Sequence, residues 1–313
     1  MMQEKVIICG VVKNAGNYLE KSLELCIQIS KKFSHSKIVI YENNSEDNTK
    51  TILQQYSDNP KFKIISEDIS YDYIKKNSQV WAFTKVTGSD HPCRIEQISN
   101  ARNKVLDEIR KCEYDNYDYV IWIDLDTTFF STDIESSFDN KEQWDVLYAN
   151  GIDYNGVYYD MYAYRDNNEN ALGPEIIGDY YWDNIHKKSF KIPSHLSELI
   201  PVVSAFGGLG IYKKQIFNDL SFGYIVSPEI EAYYLNLLSQ QTLPRAIKDI
   251  IQLPCKKFPG GYTTKYGDAS TIHWKNNSGY DNVVICEHAY LNMILHNMNF
   301  RKYIDPKIVY VKM

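Results

Sequence analysis

Before residue 65 the chain repeats one pattern: a short run of β-branched and apolar residues, a polar turn, then apolar residues at helical spacing. Val6 to Val12 runs into Lys13-Asn14-Ala15-Gly16, after which Leu19, Leu23, Cys26 and Ile27 mark one face of a helix between Tyr18 and Lys32. Ile38-Val39-Ile40-Tyr41 runs into Glu42-Asn43-Asn44-Ser45-Glu46-Asp47-Asn48-Thr49 and a helix carrying Ile52, Leu53 and Tyr56, and Phe62-Lys63-Ile64-Ile65 makes a third strand. Strand and helix alternating over short connections predict an α/β fold with a mainly parallel sheet, because parallel strands need a crossover and a helix usually supplies it. Open sheets of this kind bind ligands at the carboxyl ends of their strands, so the polar turns are the candidate site.

Further along, residues 66–93 lack periodicity and are expected to be irregular, Ile95 to Arg110 to be helical, and the run Tyr119-Val120-Ile121-Trp122-Ile123 to be a buried strand. Asp145–Ala149 and Tyr158–Arg165 are strand-like, Val202–Tyr212 is a glycine-rich strand segment, Glu287–Met298 has helical spacing, and Lys307–Val311 is a last strand. A chain of 313 residues can close this as one large domain, and no internal repeat or low-complexity linker divides it. The formal net charge of −6 gives no basic face of the kind phosphate-backbone binding needs, which argues against a nucleic-acid partner. The 6 cysteines show no CxxC pairing, and reduced thiols in a cytoplasmic setting are expected. The apolar run near the N-terminus is shorter than the ~18–20 residues of a membrane span and lacks a basic flank, so it is read as the first core strand, with no transmembrane segment.

The strand to Ile123 delivers Asp124-Leu125-Asp126-Thr127-Thr128 to the same sheet edge. Asp-x-Asp there can give oxygen ligands to Mg²⁺ or Mn²⁺ and leave positions open for a diphosphate leaving group. The same five residues fit the D-x-D-x-T pattern of haloacid-dehalogenase-like phosphatases, with Asp124 as nucleophile, Asp126 as acid/base and the segment around Asp179 as the later acidic motif. Position weighs against that second chemistry. Its motif should open the α/β domain, yet three strands precede it here, and the interval to Asp179 holds Lys141 alone as lysine and little room for the required elements. A plain strand-end turn with solvated carboxylates is the simplest alternative.

Other segments converge on the same edge. Arg94 and Arg102 fall near two helical turns apart, so both can lie on one side of the helix, and guanidiniums suit diphosphate oxygens. Glu287 and His288 open a helix after an apolar stretch; a carboxylate there can take the proton of an acceptor hydroxyl, or simply favour the helix dipole. His273 and His288 are each candidate metal or phosphate contacts, and a structural role is open for both. Gly207 and Gly208 allow a close backbone approach to a ligand, or mark a bend in the sheet.

Taken in order, "VIICGVVKNAGNYL", "IVIYENNSEDNT", "RIEQISNARN", "YVIWIDLDTTFF", "SAFGGLGIYK" and "VICEHAYLN" resemble the glycosyltransferases related to the fungal capsule-associated mannosyltransferases and to enzymes of large algal and amoebal viruses. The resemblance implies a single GT-A-type domain, with a Rossmann-like nucleotide-sugar-binding half over about residues 1–130 and an acceptor-binding half over about 131–313. It implies a UDP- or GDP-sugar donor, Mn²⁺ or Mg²⁺, and a glycan or glycoconjugate acceptor. Carried over, Val12, Asn14 and Glu42 would lie in the nucleotide pocket, Arg94 and Arg102 beside the diphosphate, and Asp124 at the ribose or sugar. Asp126, with Asp124, would hold the metal, Gly207, Gly208 and His288 would line the acceptor side, and Glu287 would be the candidate base. Fungal relatives usually carry a membrane anchor, which this sequence does not supply; for a viral chain the cytoplasm would be the host's.

Overall fold

The computed structural model describes residues 1–84, 89–178, 180–186, 190–240, 263–266, 270–274 and 284–312. The opening units are β1 (Met2–Val12), α1 (Leu19–Ser30), β2 (Phe33–Asn43), α2 (Thr49–Gln54) and β3 (Phe62–Glu67). Then come α3 (Tyr71–Asn77), β4 (Val80–Thr84), β5 (Ser89–Pro92), α4 (Arg94–Ile109), β6 (Tyr119–Ile123), β7 (Phe129–Phe130), α5 (Glu135–Phe138) and β8 (Val146–Ile152). The chain continues through α6 (Pro174–Ile177), β9 (Ile200–Pro201), β10 (Leu209–Lys213), α7 (Pro228–Gln240), β11 (Thr263–Tyr266), β12 (Ser270–Trp274), α8 (Glu287–Asn297) and β13 (Lys302–Val311).

Among the described residues, a 9-stranded sheet runs in the order β3-β2-β1-β6-β10-β8-β13-β7, with β9 also on β13. β1, β2, β3, β6, β8 and β13 point the same way, whereas β10, β7 and β9 run against them. The expected α/β architecture with a mainly parallel sheet is therefore what forms. Alternation explains why its strands read as unbroken apolar runs, since successive side chains enter cores on opposite faces. Val6, Ile8, Ile38, Ile40, Ile121 and Ile123 pack on the side of α1, while Ile7, Cys9, Val39, Tyr41, Val120 and Trp122 pack on the side of α4 and α8.

Several sequence expectations are corrected. Residues 66–93 are not irregular: they hold α3, β4 and β5, and β4 pairs with β12 in a second, 4-stranded sheet. Tyr158–Arg165 is not a strand but a series of turns, with isolated bridges from Tyr158 to Ile152 and from Arg165 to Ser204. In Val202–Tyr212 the strand begins only at Leu209, after a left-handed turn at Gly207 (φ 61°) and Gly208 (φ 84°). The last strand begins at Lys302, earlier than expected.

This topology decides where chemistry can gather. β1, β2, β6, β8 and β13 end at one edge of the sheet, and antiparallel β10 begins there, with Leu209 opposite Ile123. Among the described residues no helix is long and apolar enough to cross a membrane.

Candidate active site

Beyond that edge lies a cavity of about 750 Å³. Val12, Asn14, Arg94, Arg102, Asp124, Asp126, Glu287 and His288 all line it, brought together from four separate stretches of chain. The turn after β1 is fixed against the turn after β2: Asn14 sits at φ 52°, its N–H donates to Ser45 Oγ at 3.1 Å, and its Oδ1 accepts from the Glu46 N–H at 2.8 Å. The N-terminus of α4 faces the cavity with Arg94 at its first residue, where helix N–H groups and dipole favour an anion.

Three expected site residues lie elsewhere. Glu42 is fully buried beneath its turn, accepting from the Ser45 N–H at 2.7 Å and from the Ser66 hydroxyl, so it braces the loop and leaves Asn43 to face the cavity. Gly207 and Gly208 are not in the cavity wall. A Cβ on Gly208 would come within 2.3 Å of the Tyr310 ring and one on Gly207 within 2.4 Å of the Ala149 carbonyl, so the pair seats β10 against β8 and β13. The Gly208 carbonyl also accepts the Asp124 N–H at 2.9 Å, fixing the backbone of the acidic pair.

Arg102 is likewise not an open diphosphate contact. Its side chain is 3% exposed, its Nη2 donates to Asp124 Oδ1 at 3.1 Å, and its Nε lies 3.4 Å from Glu287 Oε1. Trp122, Phe206 and Phe222 surround the guanidinium with ring centroids 5.3 to 5.6 Å away. Burial opposes its charge, yet the two carboxylates outweigh burial and raise its pKa. Arg102 therefore ties together one carboxylate on β6's end and one at the start of α8. His288 is sandwiched next to it, stacked on Phe206 at 3.5 Å between centroids, and burial together with Arg102 pushes its pKa far down. It is a neutral ring whose nitrogens have no hydrogen-bond partner among the described residues.

Asp126 faces Tyr310 and Lys312 instead. The Tyr310 hydroxyl lies 3.3 Å from Asp126 Oδ1 and from the Asp124 carbonyl, and Lys312 Nζ donates to Asp126 Oδ2. Thr127 is spent on backbone, its hydroxyl reaching the carbonyls of Phe129 and Val311, which removes it from any phosphatase role. Asp179 and the side chain of His273 lie outside the described residues.

The sequence reading missed Asp160 and Lys312. Asp160 lines the cavity in a left-handed turn (φ 70°), a conformation Asp tolerates better than most residues. Burial, then the charges of Asp124 and Glu287, push its carboxyl up to about 8. Such a group favours folding fully below the unfolded carboxylate value of ~3.9 and loses that contribution as pH rises through 8. In metal-free buffer, Asp160→Asn is thus expected to flatten the fall in stability between pH 5 and pH 9. At pH 9 the variant should gain about 2 kcal/mol, after discounting for solvent at the cavity mouth. Urea unfolding at the two pH values measures this; parallel slopes for both proteins would refute it.

A hard divalent ion suits this donor set, since Asp124 and Asp126 offer carboxylate oxygens and the Asp126 side chain is 45% exposed. No three His, Cys, Asp or Glu side chains among the described residues are grouped to hold a metal, so most of its coordination would come from ligand and water oxygens.

Residues 5–301 match the family model described as Cryptococcal mannosyltransferase 1. The chain belongs to that family. The family match takes in the whole acidic pair, Arg94, Arg102, Asp160 and Glu287, and ends before Tyr310 and Lys312. No curated protein matches the sequence. Among solved structures, TarS 1-349 of S. aureus in complex with UDP has TM-score 0.38 at 14% identity, over 70% of this chain and 50% of that chain. Mannosyltransferase PcManGT from Pyrobaculum calidifontis, in complex with GDP-Man and Mn²⁺, has TM-score 0.37 at 11% identity, over 71% of this chain and 48% of that chain. The chain spans about half the length of the solved structures it matches here.

Proposed function

We propose that this protein transfers a sugar from a nucleotide diphosphate sugar to a hydroxyl of a glycan or glycoconjugate, with a divalent metal at Asp124 and Asp126. One observation carries the reading: the strand-end acidic pair, the N-terminus of α4 and Glu287 meet in a single cavity at the carboxyl edge of the sheet, in a chain that belongs to a mannosyltransferase family. That family makes GDP-mannose the first donor to try, with UDP-sugars next.

Each side chain has a separate task. Val12 and Asn14 border the nucleotide side, and Arg94 with the N–H groups of α4 receives the diphosphate. Asp124, fixed by Arg102, orients the donor's ribose or sugar. When bound, the metal supplies charge neutralisation to the departing diphosphate. Glu287, which Arg102 holds at the far side of Asp124, takes the acceptor's proton.

Asp126→Asn is the direct test. With Mn²⁺ and the right donor and acceptor, release of nucleoside diphosphate is expected to fall by about 100-fold or more, while circular dichroism stays native. A phosphatase would instead cleave simple phosphate monoesters without nucleotide, through a covalent phosphate on Asp124, and that outcome would end the proposal. Binding of a sugar nucleotide with no turnover on any acceptor would leave only a binding module.

A further inference from the structure

Arg102 is locked by two carboxylates and three aromatic rings, but the other cation on the acidic pair is held very differently. Lys312 stands just past β13, and its backbone N–H donates to the Ile152 carbonyl at 2.8 Å, which extends the pairing with β8 and fixes where the side chain starts. In an extended chain residues two apart share a face, so Tyr310 and Lys312 both reach the acidic pair while Val311 does not. The ammonium rests on Asp126 and lies 5.7 Å from the centroid of Tyr159, another cavity residue. Lys312 is 24% exposed, against 3% for Arg102. An ammonium has three donors on a flexible four-carbon stem, so one can hold Asp126 while others turn to the cavity.

Charge makes this position consequential. A diphosphate entering the cavity approaches Asp124, Asp126 and Glu287, and like charges at such range cost free energy unless cations intervene. A divalent ion arriving at Asp126 meets the reverse problem, since its carboxylate already carries a cation.

We propose that Lys312 is an exchangeable counter-cation of the donor site: it neutralises Asp126 in the empty cavity, competes with a divalent cation for that carboxylate, and passes its ammonium to the donor's diphosphate on binding. This rests on the nucleotide-sugar reading, and the assignment concerns a residue that lies outside the family match.

The test uses the full chain and two binding measurements without turnover. For Mn²⁺ alone, followed by its electron paramagnetic resonance signal, Lys312→Met should bind about tenfold tighter than the unaltered protein, because Asp126 is released; Asp126→Asn should lose the site. For UDP and GDP in EDTA, followed by calorimetry, Lys312→Met should bind the preferred diphosphate about tenfold more weakly, and Lys312→Arg should restore most of the loss. Tenfold is the scale of one partly screened charge pair. Lys312→Gln serves as the uncharged variant should the Met variant fail to fold. Unchanged Mn²⁺ and diphosphate affinities in a folded uncharged variant would overturn the role of Lys312 while leaving the nucleotide-sugar reading intact. Failure of the unaltered protein to bind either diphosphate, with or without Mn²⁺, would overturn both.

Discussion

Arg102→Met is expected to lower the stability of the fold by about 3–5 kcal/mol at pH 7, the cost of leaving buried Glu287 and partly buried Asp124 without their cation. The side chain it removes is almost wholly buried, bridges Asp124 and Glu287, and is walled by Trp122, Phe206 and Phe222. Methionine fills much of the volume, so the loss is electrostatic rather than a cavity. The carboxyl of Asp124 is already pushed up, first by burial and then by Asp126 and Glu287, with Arg102 the largest opposing influence. Without Arg102 the Asp124 carboxyl rises further, and the variant is relieved by taking up a proton there. Its deficit should therefore shrink as pH falls from 7 to 5, visible as converging urea midpoints. Arg102→Lys keeps a charge but not the fork that reaches two carboxylates, so it should fall between the two. A deficit under about 1 kcal/mol, or one independent of pH, would show that the bridge is a surface-like ion pair of little weight.

The same residue shows where a sequence stops being informative. That Arg102 lies on the inner side of α4 follows from helical spacing; that it faces two acids and three rings follows only from the end of β6, the segments carrying Phe206 and Phe222, and the start of α8 meeting there. Most strands and helices were legible because both faces of the sheet are buried and give unbroken apolar runs. α3 was not, since none of its residues is buried and no apolar stripe marks it. β4 is short and sits between the neighbouring β5 and β12, far along the chain, and the second pairing is one propensity does not encode. Tyr158–Arg165 misled in the other direction: its tyrosines favour strands, but Tyr158 stacks on Phe190 and Tyr164 packs against the same ring, so aromatic packing won over pairing. Asp160 and Lys312 carried only weak local signals, an acid within an aromatic stretch and a lysine two residues beyond a tyrosine at the chain's last strand. Each acquires meaning from the strand ends that surround it.

Glu287→Gln is expected to reduce turnover by about 10²–10⁴-fold, the usual weight of a general base, with donor affinity changed by less than about twofold. The substitution is nearly isosteric, and the Gln oxygen can still accept from Arg102, so geometry survives while basicity does not. Placement supports a chemical rather than a capping task. Glu287 opens α8 after the buried Val284, Ile285 and Cys286, yet its carboxylate lines the cavity, where its second oxygen has Cys286 Sγ at 3.7 Å for company. Were Glu287 only a partner for Arg102, the Gln variant would lose stability and keep its turnover, because one of the two carboxylates that balance the buried guanidinium would be gone. The two roles thus separate cleanly when kcat and the unfolding midpoint are measured on the same preparation. A base on the acceptor side also requires direct displacement, so the product should carry the anomeric configuration opposite to the donor's. Retained configuration together with undiminished kcat in Glu287→Gln would remove the base and leave Glu287 as the anchor that Arg102 needs to hold Asp124 in place.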